Sequence, residues 1–142
     1  MRSKAPWWFW LISGVALVWN LMGVGAYLND ARMSDAKLVE TYGEILGQAT
    51  IAQPAWVTAA YALAVFGGAL GCLLLLFRKR IAIWPLIVSL IAVLVQQGYV
   101  WIASGVMAHI PTSSMVMYIS IPLVAIFLVW FAKKMSIEQI IS

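Results

Sequence analysis

Apolar residues run along this chain in four long blocks, separated by short polar or charged stretches. The first block begins at Trp8 and closes at Leu28, just before Asn29-Asp30. The second runs from Ala55 to Phe77, the third from Ile81 to Ile102, and the fourth from Thr112 to Ala132. Each is close to the roughly 20 residues that an α-helix needs to cross the hydrocarbon layer of a bilayer. The pattern therefore predicts an all-α integral membrane protein, a bundle of four transmembrane helices over residues 8–28, 55–77, 81–102 and 112–132. Arg78-Lys79-Arg80 leaves room only for a tight turn, which makes the second and third spans an antiparallel hairpin.

Residues 29–53 are the one sizeable segment outside the spans. Ser34-Asp35 is a helix start, with a capping hydroxyl and an acidic residue in the first turn. Leu38, Tyr42, Ile45 and Ala49 then recur at helical spacing opposite Lys37, Glu40 and Glu44, which predicts a short amphipathic helix on the membrane surface or over the mouth of the bundle. Pro54 suits the first turn of the second span, and Pro85 is tolerable near the start of the third. Ser104-Gly105, His109 and Pro111 mark a second loop, with Thr112 or Ser113 available to cap the fourth span. Pro122 falls inside that span, where it removes a backbone hydrogen bond and is expected to kink the helix.

Composition agrees with a membrane and disagrees with a soluble core. Of 142 residues, 64% are hydrophobic and 10% charged, against roughly 45–50% and 25% in an ordinary soluble domain. A single membrane domain is expected, with the lipid bilayer as its first partner. The net charge of +4 reports topology and gives no sign of a nucleic-acid partner. Arg2, Lys4, Arg78, Lys79, Arg80, Lys133 and Lys134 flank one side of the spans, whereas Arg32 and Lys37 share the other with Asp30, Asp35, Glu40 and Glu44. By the positive-inside rule both termini and the hairpin turn are cytoplasmic, and residues 29–53 face outward. Arg2 and Lys4 before an apolar run resemble a secretory signal, but the run from Trp7 to Leu28 exceeds the roughly 7–15 residues of a signal core, so an uncleaved anchor is expected.

Aromatic residues fall near the predicted span ends: Trp7, Trp8, Trp10, Phe77, Trp84, Trp130 and Phe131 at the inner end, Tyr27, Tyr42, Trp56 and Trp101 at the outer. Rings of this kind settle at headgroup depth as an aromatic belt; the other use of such tryptophans is to stack on a sugar ring.

No Asp, Glu, Lys, Arg or His occurs within the four spans so drawn, which argues against ion-coupled transport. Uncharged polarity is present and forms stripes. Ser13, Ala16, Asn20, Gly23 and Tyr27 share one face of the first span. Ser89, Ala92, Gln96 and Tyr99 share one face of the third, with Gln97 about 100° around it. At a rise of about 1.5 Å per residue, Asn20 and Gln96 lie at similar depth in the outer half, near Tyr61 and Ser120. Asn20, Tyr61, Gln96, Gln97 and Ser120 are thus candidates for a polar site inside the membrane, either as interhelical hydrogen-bonding groups or as the lining of a vestibule for a neutral polar solute.

On the second span, Ala60, Ala64, Gly68 and Cys72 form a ridge of small residues, and Gly67 with Gly71 makes GxxxG. Such faces let helix backbones approach closely, within one chain or between chains. Cys72 is the only cysteine, so no internal disulfide is expected, and no base lies near it in sequence. His109 shares no metal-ligand spacing with the acidic residues, and no nucleophile, base and acid fall into order. Neither an enzyme, nor a metal, nor a cofactor is expected.

Trp19-Asn20 with Gly23, Pro54-Ala55-Trp56-Val57, Val65-Phe66-Gly67-Gly68, Gly71 and Arg78-Lys79-Arg80 resemble a family of small four-span bacterial inner-membrane proteins of unknown function, sometimes loosely labelled sugar-transporter-like. The likeness covers most of the first hundred residues, and it implies a bacterial inner-membrane location. Two functional readings follow from the residues. The first is a structural or accessory subunit that self-associates or joins a larger membrane complex through its small-residue faces. The alternative is a facilitator or binding protein for a small neutral polar solute such as a sugar.

Overall fold

The structure is a computed structural model that describes residues 3–103, 108 and 112–142. The second loop expected at Ser104-Gly105, His109 and Pro111 lies outside the described residues, as does Arg2. The described elements are α1 (Trp7–Arg32), α2 (Asp35–Tyr42), α3 (Glu44–Ile51), α4 (Ala55–Leu76), a 3-10 turn (Arg80–Ala82), α5 (Ile83–Gly98) continued by a π turn (Tyr99–Ala103), and α6 (Thr112–Ile137). Four helical stretches are long and apolar enough to cross a membrane: Trp7–Arg32, Ala55–Leu76, Arg80–Ile102 and Met115–Ile137.

α1 is longer than the span expected from hydropathy. It continues a full turn beyond Leu28, through Asn29 and Asp30 to Arg32, because the polar residues that end the apolar run contain no helix breaker. α4 begins at Ala55, directly after Pro54, so the proline precedes the first turn instead of occupying it. α6 runs unbroken through Pro122.

The segment between α1 and α4 is two helices, not the single helix expected. They meet at Gly43, whose φ of 88° lies in the left-handed region that a glycine enters without a β-carbon penalty. Ser34 caps α2, its Oγ accepting from the Lys37 amide. The bend at Gly43 also changes which residues face inward. Leu38 is buried and Leu46 half-buried, whereas Ile45 is exposed. Beside the junction Gly47 has no room for a side chain, since a β-carbon there would sit 2.7 Å from the Val39 Cα.

The bundle is built on α4, which packs against both α1 and α5; α6 packs against α5, while α1 and α6 have few close backbone approaches. The small residues of α4 make these contacts within the chain. A β-carbon on Gly67 would lie 3.1 Å from the Pro85 carbonyl oxygen, and one on Gly71 would lie 2.5 Å from Leu86 Cγ. Gly68 lies between α1 and α5, against Asn20 and Ser89, and Ala60 and Ala64 are buried. The Ser89 hydroxyl donates to the Ala64 carbonyl at 2.6 Å, closing α5 onto α4.

Where α1 and α6 meet, they do so through aromatic side chains at the end of the bundle that carries both termini. Phe9 and Phe131 are buried and stacked with ring centroids 6.0 Å apart, and Trp8 meets Phe131 edge-on at 6.3 Å. Phe131 thus belongs to the core of that end and not to the aromatic belt expected there. Leu75, Met135, Ile140 and Ile141 complete this core.

The same end is tied together by its chain reversals. Arg78 and Gln139 have φ of 57° and 59° at the C-termini of α4 and α6. The Lys79 and Arg78 amides donate back to Leu74 and Leu75, and the Ile140 and Gln139 amides to Met135 and Ser136, so both helices end in Schellman motifs with a residue other than glycine in the left-handed position. The Arg78 guanidinium then donates to the carbonyls of Ile140 and Ser3, linking the hairpin turn to both terminal segments.

Candidate functional site

At the opposite end the helices separate. With aromatic packing holding α1 and α6 only near the termini, a cavity of about 630 Å³ opens between α1, α4, α5 and α6, with α2 and α3 at its mouth. Most of its lining is apolar, and the polar residues are spread along its depth, from Asn20 and Ser89 near Leu86 to Gln96 and Asp30 toward the mouth. The volume lies within the range of about 300–1,000 Å³ typical of small-molecule sites.

Asn20, Tyr61, Gln96 and Gln97 all line this cavity. Asn20 is fixed by its neighbours: its Nδ2 donates to the Ala16 carbonyl at 2.9 Å and toward Cys72 Sγ at 3.5 Å, while its Oδ1 lies over Gly68. Tyr61 packs edge-on against Tyr27 with centroids 5.3 Å apart. Gln97 is 4% exposed, and among the described residues neither its Nε2 nor its Oε1 has a hydrogen-bond partner. A buried amide left in that state costs about 1–3 kcal/mol, which makes it the most conspicuous polar group in the wall.

Ser120 does not join them. Its hydroxyl donates to the Val116 carbonyl at 2.8 Å, and α6 faces the cavity with Met117, Tyr118, Ile121, Val124, Ala125 and Leu128. A helix advances about 100° per residue, so Ser120 lies off the face that contains Met117, Ile121 and Val124. Tyr118 takes the place expected of Ser120.

Two groups escaped the sequence reading. Asp30 lines the cavity because α1 extends past Leu28. The stripe Asn20, Gly23, Tyr27 continues by a step of three to Asp30, a signal that the placement of the span end concealed. The second is the full set of tyrosines. All five in the chain, Tyr27, Tyr42, Tyr61, Tyr99 and Tyr118, line the cavity. Tyr27 and Tyr42, expected in an aromatic belt, therefore face inward.

Tyr42 on α2 donates its hydroxyl to Asp30 Oδ1, joining the mouth segment to α1. Partial burial, and then the hydrogen bond to the Asp30 carboxylate, push the Tyr42 hydroxyl well above its ordinary value. It stays protonated and serves as a donor. Among the described residues no group of three His, Cys, Asp or Glu side chains is arranged to hold a metal ion. Neither models of known protein families, nor curated proteins, nor solved structures give a match to this chain.

Proposed function

We propose that this protein is a multi-pass membrane protein that takes a small organic solute into the cavity between its four long helices, as a binding protein or facilitator. The observation that carries this reading is the cavity itself, about 630 Å³, with Asn20, Tyr61 and Gln96 among its lining residues as donors and acceptors. A recess of that size with a few polar groups among apolar side chains is the common form of a small-molecule site.

The reading as a self-associating accessory subunit loses its main support, since Gly67 and Gly71 face α5 of the same chain. We place the cavity mouth, with the amphipathic α2, on the outer side of a bacterial inner membrane and both termini in the cytoplasm. Support comes from the seven Lys and Arg residues at the terminal end against two at the other and from the positive-inside rule. The resemblance to bacterial four-span proteins favours that membrane.

Accessibility tests the proposal. In a Cys72→Ser background, Gln96→Cys is expected to react with a small water-soluble thiol reagent added from outside, whereas Val88→Cys, on a part of α5 away from the cavity, is not. A Gln96→Cys thiol as inert as Val88→Cys means that no solute reaches the cavity, and the proposal fails.

A further inference from the structure

The charge in the cavity is one-sided. Among the described residues Asp30 is the only charged side chain that lines it; no described Lys, Arg or His does so. Tyr42 satisfies one carboxylate oxygen, and among the described residues Asp30 has no ion pair, the one salt bridge there being Lys37 with Glu40 on the exposed face of α2. A carboxylate at the end of a membrane span attracts a counter-charge, because desolvation raises the cost of leaving it alone and strengthens its pull on a cation.

The rings around it suit such a charge. The faces of aromatic rings carry negative quadrupole density and attract a cation within about 6 Å of the ring centre, most strongly where water is excluded. Tyr27 and Tyr61 meet edge to face, with an interplanar angle of 61°, so they turn differently directed faces to their surroundings. Tyr118 stands across the cavity on α6. An inorganic cation needs about six oxygen ligands at short range, which one carboxylate among tyrosines and apolar side chains does not offer. The volume of about 630 Å³ and the apolar lining that includes Val93, Met117, Ile121 and Val124 instead fit a cation that carries hydrocarbon.

Resting on the solute-site reading above, we infer that the cavity binds a monovalent organic cation, a substituted ammonium with an apolar body, between the Asp30 carboxylate and the tyrosine faces. The ammonium lies beside Asp30 and the rings of Tyr61 and Tyr118. The apolar body extends toward Val93, Ile121 and Val124. The choice between a neutral and a cationic solute turns on α1 reaching Asp30: a span ending at Leu28 leaves the site uncharged, and the span as folded does not.

The test is equilibrium binding of benzyltrimethylammonium to the purified full-length protein in nanodiscs, with benzyl alcohol and glucose as neutral probes. Saturable binding of the ammonium is expected, with neither neutral probe competing at equal concentration. Asp30→Asn, which keeps a group able to accept from Tyr42, should weaken binding at least tenfold. Tyr61→Leu should weaken it several-fold and Tyr61→Phe, which keeps the ring, much less. Thermal melting of each variant confirms folding. No ammonium binding by the wild-type protein, equal binding by folded Asp30→Asn, or equal binding by folded Tyr61→Leu each overturns the cation assignment. The reactivity of Gln96→Cys separates that failure from failure of the solute site: a reactive thiol with glucose bound keeps the site and changes its ligand, and an inert thiol removes both.

Discussion

The side-chain oxygen of Asn20 occupies the space where residue 68 would carry a β-carbon: a carbon added to Gly68 would lie 2.0 Å from Asn20 Oδ1. The close approach of α1 to α4 at this level therefore depends on a missing side chain in one helix and a polar one in the other. Gly68→Ala is expected to expel the Asn20 amide and destabilise the protein by about 1–3 kcal/mol. Gly25→Ala, where nothing lies within 4 Å, should be neutral or slightly stabilising through helix propensity. Denaturation in mixed micelles measures both. Adding Asn20→Ala to Gly68→Ala should recover part of the loss, a non-additivity that isolates the contact.

Gln97 predicts a gain in stability. Replacing the unpartnered amide with a chain of similar length, Gln97→Met, removes an unsatisfied buried polar group, and is expected to stabilise the unliganded protein by about 1 kcal/mol or more. A rise in the melting temperature is the expected result; a fall contradicts it.

Tyr42 fastens the α2 segment to α1 through Asp30. Tyr42→Phe should cost about 1 kcal/mol locally and raise backbone hydrogen exchange over residues 35–51, with little change in the four long helices. The alkaline limb of stability reports the same contact. The hydroxyl is held above its ordinary value of 10.0, so the folded protein keeps a proton that the unfolded chain releases. This contribution is fully present below pH 10 and is lost as pH rises through the higher folded value. The stability of Tyr42→Phe should fall less steeply above pH 10 than that of the wild type.

Gln139 sits exposed at a φ of 59°, a left-handed conformation that costs a non-glycine residue roughly 1 kcal/mol. Gln139→Gly should raise stability by up to that amount while keeping the hydrogen bonds that close α6. At Arg78, with φ of 57°, the same substitution is expected to destabilise. There the guanidinium bonds to Ile140 and Ser3 are lost as the strain is relieved, and protease cleavage near residues 136–142 should accelerate.

By itself the sequence determined where the long helices lie and that they form an antiparallel bundle, because apolar blocks of span length separated by charges leave no other economical arrangement. It also marked Asn20, Tyr61, Gln96 and Gln97 by helical period, and all four line the cavity, but it misjudged their depth: Asn20 lies against Gly68 and Cys72 at the level of Ser89, seven residues and about 10 Å along α5 from Gln96. It did not determine which face of α6 turns inward. Ser120 and Tyr118 are both polar residues near the same depth, and only the packing of α6 against α5 brings Tyr118 to the cavity. Nor did it decide whether the glycines of α4 serve this chain or another, a question of what lies opposite them, answered here by Pro85 and Leu86. Most consequential is the end of α1. Hydropathy stops the span at Leu28, but hydrogen bonding carries the helix to Arg32, because a polar turn satisfies its own backbone as well as an apolar one. That added turn brings Asp30 to a cavity which α1 and α6, joined by aromatic rings only at the far end, leave open.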